Sequence, residues 1–266
     1  MSTSDSLDHN YGMGGSPLSL TILSIGMCVG WLVNYIATIR KSFQDRTYGM
    51  ALMPLCCNIA CEFVYGVIFP PDIPLWPCIF AGWLTLNLIV IYAAMKFAPN
   101  EWSHAPLVER NISWIFVVTI GVWMSAHLTL VAHVGKSAGA AWSSWFCQLL
   151  LSAGGVCQLI VRGSTRGTSL FIWFSRFIGT VLALPHEILR YRYGYTDVVW
   201  HSPLGWWGGV MFFLLDGSYG ILLWSIRRSE ARFDETALRN KKTAESTGNG
   251  IMSAGTSTGI SRSRVD

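Results

Sequence analysis

The sequence predicts an all-α membrane protein: a seven-transmembrane-helix bundle with its N-terminus lumenal and its C-terminus cytosolic. Three observations carry this prediction. Of 266 residues, 52% are hydrophobic and only 13% charged, where a soluble domain carries about 25% charge; mean hydropathy is +0.40. Seven apolar runs are each long enough to cross a hydrocarbon core of about 30 Å. When these runs alternate in direction, 15 of the 19 Lys and Arg residues fall on one side, which marks that side as cytosolic.

The elements follow in order. Residues 1–17 form a short lumenal tail with Asp5 and Asp8 but no Lys or Arg, so the basic start of a cleavable signal is missing. Leu18–Ile39 is the first span and stops at Arg40 and Lys41. Met50–Phe69 is the second; Pro54 within it predicts a kink. Trp76–Phe97 is the third, closed by Lys96, and Trp114–Val134 the fourth, after a loop that carries Arg110. Ala138–Val161 follows Lys136 and ends at Arg162. Ser169–Leu189 holds Arg176 inside it and Pro185, a second expected kink. Leu204–Ile226 is the seventh. Polar backbone cannot face lipid, so runs of this length fold as helices. Residues 18–228 are therefore one membrane domain. Residues 229–266, rich in Ser, Thr, Gly, Lys and Arg, read as a disordered cytosolic tail.

Several functions are excluded by what these runs lack. The last span has no lysine for a retinal Schiff base, and no Pro-Gln pair marks a sugar transporter. A net charge of +4 is no nucleic-acid signature. The seven cysteines form no CxxC pair and read as small buried hydrophobes. His127 and His133 are six residues apart, on different helix faces, and predict no metal site. The basic loop Arg162–Thr168 lacks phosphate-binding spacing and reads as a turn. No cofactor is expected.

Two carboxylates lie well inside spans: Glu62 in the second and Asp216 in the seventh. A charge at this depth costs roughly 2.5–3.5 kcal/mol on insertion scales, which makes each acid a functional candidate. Glu62 is seven residues from its lumenal end and Asp216 twelve from its own, depths of roughly 10 and 18 Å. Both can reach one cavity if their helices are neighbours. At spacings of three and four, Glu62 shares its face with Asn58 and Tyr65, and Asp216 with Phe212, Phe213 and Tyr219. Aromatic faces stabilise desolvated cations by about 2 kcal/mol, and burial disfavours the charged form of an acid. Protonation followed by carbocation chemistry fits such a pattern. So does a proton-coupled transporter of a hydrophobic metabolite with the two acids as relay, or a structural role in which Arg176, His127 or His186 pairs with an acid. Glu187 and Arg190 read as an interfacial ion pair.

Four longer segments decide among these. Thr47–Pro70 (TYGMALMPLCCNIACEFVYGVIFP), Asn87–Phe116, Cys147–Leu170 and Asp216–Trp224 (DGSYGILLW), in this order, resemble the small fungal integral-membrane terpene cyclases of meroterpenoid and indole-diterpene biosynthesis. The resemblance runs from about Leu18 to Arg228. It implies a multi-pass protein of the endoplasmic reticulum that protonates the terminal epoxide of a prenylated aromatic, pyrone or indole and cyclises the polyprenyl chain through carbocations. It implies catalytic roles for Glu62 and Asp216, with Asn58, Tyr65, Phe212, Phe213 and Tyr219 lining the substrate. Its partners would be membrane lipid and a flavin monooxygenase that supplies the epoxide. Neither the DDxxD nor the DxDD motif of soluble terpene cyclases occurs, so cyclisation would run without metal. Cys61 stands where the family carries a bulkier residue, often Trp, before the glutamate.

Overall fold

A computed structural model describes residues 18–70, 76–193 and 199–255 of the chain. Among these residues there are seven α-helices and no strand. They are α1 (Leu18–Asp45), α2 (Leu52–Phe63), α3 (Trp76–Phe97), α4 (Pro106–Val134), α5 (Lys136–Arg162), α6 (Leu170–Arg192) and α7 (Pro203–Gly255). Five stretches are long and apolar enough to cross a membrane: Leu18–Asp45, Cys78–Asn100, Pro106–Val134, Lys136–Arg162 and Pro203–Thr243. The apolar helix Leu52–Ile68 is shorter, and α6 buries Ser175, Arg176, Thr180 and His186, which lowers its apolarity.

Helix α1 turns its polar side chains inward and apolar ones outward. On α1 the exposed residues Ile22, Ile25, Val29, Leu32 and Ile36 recur every three or four positions, while Asn34, Tyr35, Thr38 and Ser42 are buried. Lipid solvates the first set at no cost; the second finds hydrogen-bond partners only inside the bundle. Small residues draw α1 against α6. A Cβ on Gly30 would lie 2.8 Å from Gly179 Cα, and one on Gly179 would lie 2.9 Å from Trp31 Cδ1. Such small-residue seams bring transmembrane helices into backbone contact.

Packing closes a ring. α1 lies against α6 and α3, α6 against α7, α7 against α5, α5 against α2, and α2 against α3. α4 packs on the α2–α5 edge.

Three features differ from the sequence expectation. Pro54 is the third residue of α2, not its interior. A first-turn amide has no intrahelical acceptor, so proline costs nothing there. Directly after Glu62 and Phe63 the helix widens into a π-helical turn, Val64–Ile68, closed by Phe69 N–H donating to Val64 O at 2.8 Å. The expected structureless tail is corrected as far as Gly255: α7 continues unbroken to that residue. The Ser and Gly content of the tail obscured the run Glu230–Lys242, which is rich in the helix formers Ala, Glu, Arg, Lys and Leu. The N-terminal segment expected to be lumenal, residues 1–17, and residues 256–266 lie outside the described residues.

One end of the bundle is tied together by the α5–α6 loop, which sequence spacing reads as a plain turn. Gly163 (φ 60°) ends α5 in the left-handed region, which glycine enters without a Cβ clash. Gly167 (φ 77°) donates its N–H to Asp45 Oδ2 at 2.7 Å. Glu230 of α7 accepts from Thr165 N–H at 2.8 Å and Thr165 Oγ1 at 2.6 Å. Glu101 pairs with Arg166 at 3.1 Å and Arg162 at 3.8 Å.

Candidate active site

The two acids sit on separate walls of the ring. α2 packs on α3, α4 and α5, and α7 on α5 and α6, so α5 lies between the helices that carry Glu62 and Asp216. The two helices therefore do not pack extensively on one another.

Glu62 is buried among neutral hydrogen-bonding groups from three helices. Its Oε1 accepts from Asn58 Nδ2 at 3.1 Å and, at a long 3.4 Å, from Tyr35 O–H. Tyr35 O–H in turn accepts from Asn58 at 2.8 Å and from the fully buried Asn87 at 3.0 Å. Glu62 Oε2 is buried and makes no hydrogen bond within the protein. Asn58 thus joins Glu62 as its face predicts. Tyr35 and Asn87 are brought in by α1 and α3; only Asn87 had a signal in the sequence, as a polar residue inside a span.

Asp216 is different. It is fully buried and ion-paired with Arg176 of α6 through Oδ1, one of the three partners that the sequence offers for a structural role; Oδ2 makes no hydrogen bond. The Arg176 guanidinium also lies over the Tyr219 ring, 5.3 Å from its centroid. Tyr219 O–H and Thr168 Oγ1 are 2.9 Å apart, and Trp173 Nε1 donates to Asp216 O at 2.9 Å. Asp216 holds Arg176, Tyr219 closes on Thr168, and Gly220 lets the Trp173 ring approach closer than any Cβ would allow.

The other predicted lining residues disperse. Tyr65 is buried but turns away from the Glu62 carboxyl: its O–H is 2.9 Å from Ser143 Oγ, which in turn is 2.8 Å from His127 Nδ1. Phe212 is fully buried and stacks on Phe177, centroids 5.9 Å apart. Phe213 is 45% exposed and meets Phe177 and Phe212 with its ring steeply inclined to theirs, so it does not belong to an enclosed wall beside Asp216. The reading of the cysteines as small buried hydrophobes holds for Cys56, Cys57, Cys61 and Cys147 but not for Cys78 and Cys157, which are exposed. Cys57 Sγ lies 3.5 Å from Cys147 Sγ and 3.7 Å from His127 Nε2, and all three residues are buried with their ligand atoms within 4.8 Å of one another. Two sulfurs and an imidazole suit a soft cation. Spacing could not reveal the group, because each residue comes from a different helix.

A cavity of about 40 Å³ lies between α1, α5, α6 and α7 and reaches the α5–α6 loop; Arg162, Arg166, Arg176, Gln158, Thr168 and Tyr219 are among its lining residues. Gly155 keeps it open beside Tyr219: a Cβ there would lie 3.2 Å from the ring.

What this arrangement can do is offer one buried acid with an uncommitted oxygen among neutral donors, and a second carboxylate fixed against a cation. Residues 17–229 match the family described as Pyr4-like transmembrane terpene cyclases. The chain is 52% identical over 217 residues to terpene cyclase dpmpB of Macrophomina phaseolina, covering 81% of this chain and 89% of that protein. It is 47% identical to terpene cyclase penB of Penicillium crustosum over 83% of this chain and 91% of that protein. Against terpene cyclase ptmB of Penicillium ochrochloron the identity is 48%, over 82% and 90%. No solved structure matches the chain. With the match extending across all seven helices into the start of the α7 extension, the chain belongs to the Pyr4-like transmembrane terpene cyclases.

Proposed function

We propose that this cyclase protonates the terminal epoxide of a polyprenyl chain attached to an aromatic, pyrone or indole head group, and that Glu62 is the proton donor. The observation that carries the reading is the unequal setting of the two acids. Glu62 has only neutral described partners, all on Oε1, and keeps Oε2 free. An acid so placed can hold a proton on Oε2 and deliver it. Asp216, paired with Arg176, enters as a carboxylate.

In this reading the apolar chain partitions from lipid into the ring. Glu62 Oε2 gives its proton to the epoxide oxygen, the C–O bond opens at the more substituted carbon, and successive alkenes attack the resulting cation. Positioned general acids contribute roughly 10²–10⁴-fold, and exclusion of water keeps the cation from early quenching. Asp216 Oδ2, uncommitted in the pair, accepts the proton released when the last cation collapses. The product has the mass of the substrate. The epoxide must come from an oxygenase, and a flavin monooxygenase in the same membrane fits that need. We place the protein in the endoplasmic reticulum with the α5–α6 loop end cytosolic, because that end gathers the Lys and Arg excess.

A mass-spectrometric assay on microsomes fed epoxidised farnesyl- and geranylgeranyl-substituted head groups tests this. The expected result is a product of unchanged mass and new retention time, lost in Glu62→Gln with the protein present at its usual level. Near-normal turnover by that variant would remove Glu62 from the chemistry. The transporter reading finds no support in relatives named as terpene cyclases; it requires pH-gradient-driven flux of an unchanged compound.

A further inference from the structure

Helices α2, α4 and α5 pack on one another, and each sends one side chain with a metal-ligating atom to a common point. Cys57, His127 and Cys147 are all buried, and none of them takes part in the proposed cyclisation. Cys57 Sγ is 3.5 Å from Cys147 Sγ and 3.7 Å from His127 Nε2. A tetrahedral zinc ion sets very similar separations. With Zn–S of about 2.3 Å and Zn–N of about 2.0–2.1 Å, two sulfurs lie about 3.8 Å apart and a sulfur and a nitrogen about 3.6 Å.

The imidazole is set for the same task. Its Nδ1 is 2.8 Å from Ser143 Oγ, which lies 2.9 Å from the Tyr65 hydroxyl. With the ring proton on Nδ1 and donated to Ser143, the lone pair of Nε2 faces Cys57. A hydrogen bond on the far nitrogen is how proteins fix the tautomer and the angle of a metal-binding histidine. The other tautomer gives Nε2–H only a long 3.3 Å contact with Cys57 O, a carbonyl that α-helical geometry already gives to the amide four residues on. Val64, Tyr65, Trp123 and Val131 pack in the same apolar cluster as the two cysteines.

We propose that Cys57, His127 and Cys147 form a structural zinc site that clamps α2 to α4 and α5. Charge selects the ion. Binding displaces one proton from each thiol, so two thiolates and a neutral imidazole around Zn2+ make a group of zero net charge. Cu+ with the same ligands would leave one negative charge in an apolar interior, where a net charge is costly. Mg2+ prefers oxygen ligands. The clamp matters to the acid because Asn58, next in the chain to Cys57, donates to both Glu62 and Tyr35. The ion holds the backbone from which Asn58 reaches and takes no part in proton transfer, so the site stands or falls separately from the proton-donor assignment.

The test uses the full-length protein, purified anaerobically with a phosphine reductant and without chelator. Metal analysis finds zinc equimolar with the chain. A pyridyl chelator removes it and lowers the thermal midpoint, which Zn2+ restores and Mg2+ does not. Co2+ in its place gives a thiolate-to-cobalt charge-transfer band. Cys57→Ser and Cys147→Ser lose that band, and His127→Cys, which keeps three ligands, retains zinc. Ser143→Ala weakens zinc binding roughly 10- to 100-fold, as loss of a group that orients a ligand does. Chelator-treated, fully reduced protein that takes up no Zn2+ and shows no cobalt–thiolate band overturns the proposal without reliance on any variant. Undiminished zinc in both cysteine variants also overturns it. Copper in place of zinc refutes the charge argument and with it the zinc assignment, and a Cys57–Cys147 disulfide in the anaerobic protein refutes the metal site itself.

Discussion

Replacing Arg176 separates what Asp216 does for the fold from what it does for chemistry. Asp216 is fully buried, and Arg176 is its one ion-pair partner among the described residues. Arg176→Met strands that carboxylate, and removing one partner of a buried pair costs about 3–5 kcal/mol. At about 2–4 °C per kcal/mol for a chain of this size, the thermal midpoint falls by roughly 6–20 °C. Asp216→Leu leaves the guanidinium unpaired beside an Nε that already has no partner, so the penalty is similar. The double variant Arg176→Met/Asp216→Leu removes both charges, and apolar replacement of a buried pair is often neutral or stabilising. It therefore recovers most of the loss, with a coupling energy at or above the 0.5–3 kcal/mol usual for contacting residues (order of magnitude). Heating steps followed by fluorescence-detected size exclusion give the midpoints, and product analysis gives activity. All three variants are inactive, the double variant although it is stable. A double variant no more stable than the singles would refute the pairing argument. An active double variant would refute the chemical role of Asp216.

Three further outcomes follow from the same packing. Tyr35→Phe deprives the fully buried Asn87 of the hydroxyl it donates to and Glu62 of one donor, so stability drops by about 1–3 kcal/mol and cyclisation slows with the product unchanged; a thermal midpoint equal to the parent's would contradict the network. Gly179→Leu cannot fit against Trp31 and Gly30, and folded protein should be lost from size-exclusion profiles, whereas Gly217→Leu, where a Cβ meets no atom within 4 Å, keeps a monodisperse peak. Ser143→Ala takes away the hydroxyl shared by Tyr65 and His127 and costs about 1–3 kcal/mol; an unchanged midpoint would mean that those contacts carry no net stability.

Much of this was legible in one dimension because a bilayer imposes a length and a polarity. Each of the seven expected apolar runs overlaps one of the helices α1 to α7. The acids stood out for the same reason, since a carboxylate in Met50–Phe69 or Leu204–Ile226 has no cheap explanation. Face arguments worked within a helix: Asn58 does reach Glu62, four residues on. They failed wherever a side chain's direction depends on a neighbouring helix. Tyr65 shares the Glu62 stripe by spacing, yet bonds Ser143 on α5, and Phe213 shares the Asp216 stripe but is 45% exposed. The tail's Ser and Gly content speaks against a helix, but within it a run of Ala, Glu, Arg and Lys continues α7.

By itself the sequence determined the number of helices, the end of the bundle that collects positive charge, and the two acids worth testing, because local apolarity, chain length and burial cost are properties of a single segment. Its resemblance to known cyclases supplied the family. Only the tertiary structure decided that Glu62 rests among neutral donors while Asp216 is locked to Arg176, that Cys57, His127 and Cys147 converge, and that a turn-like loop anchors Asp45, Glu101 and Glu230 beside an arginine-lined cavity. Each of these depends on which helices become neighbours, through contacts between residues as far as 122 positions apart. Spacing along one helix cannot specify such contacts; close packing of small residues at seams such as Gly30–Gly179 does.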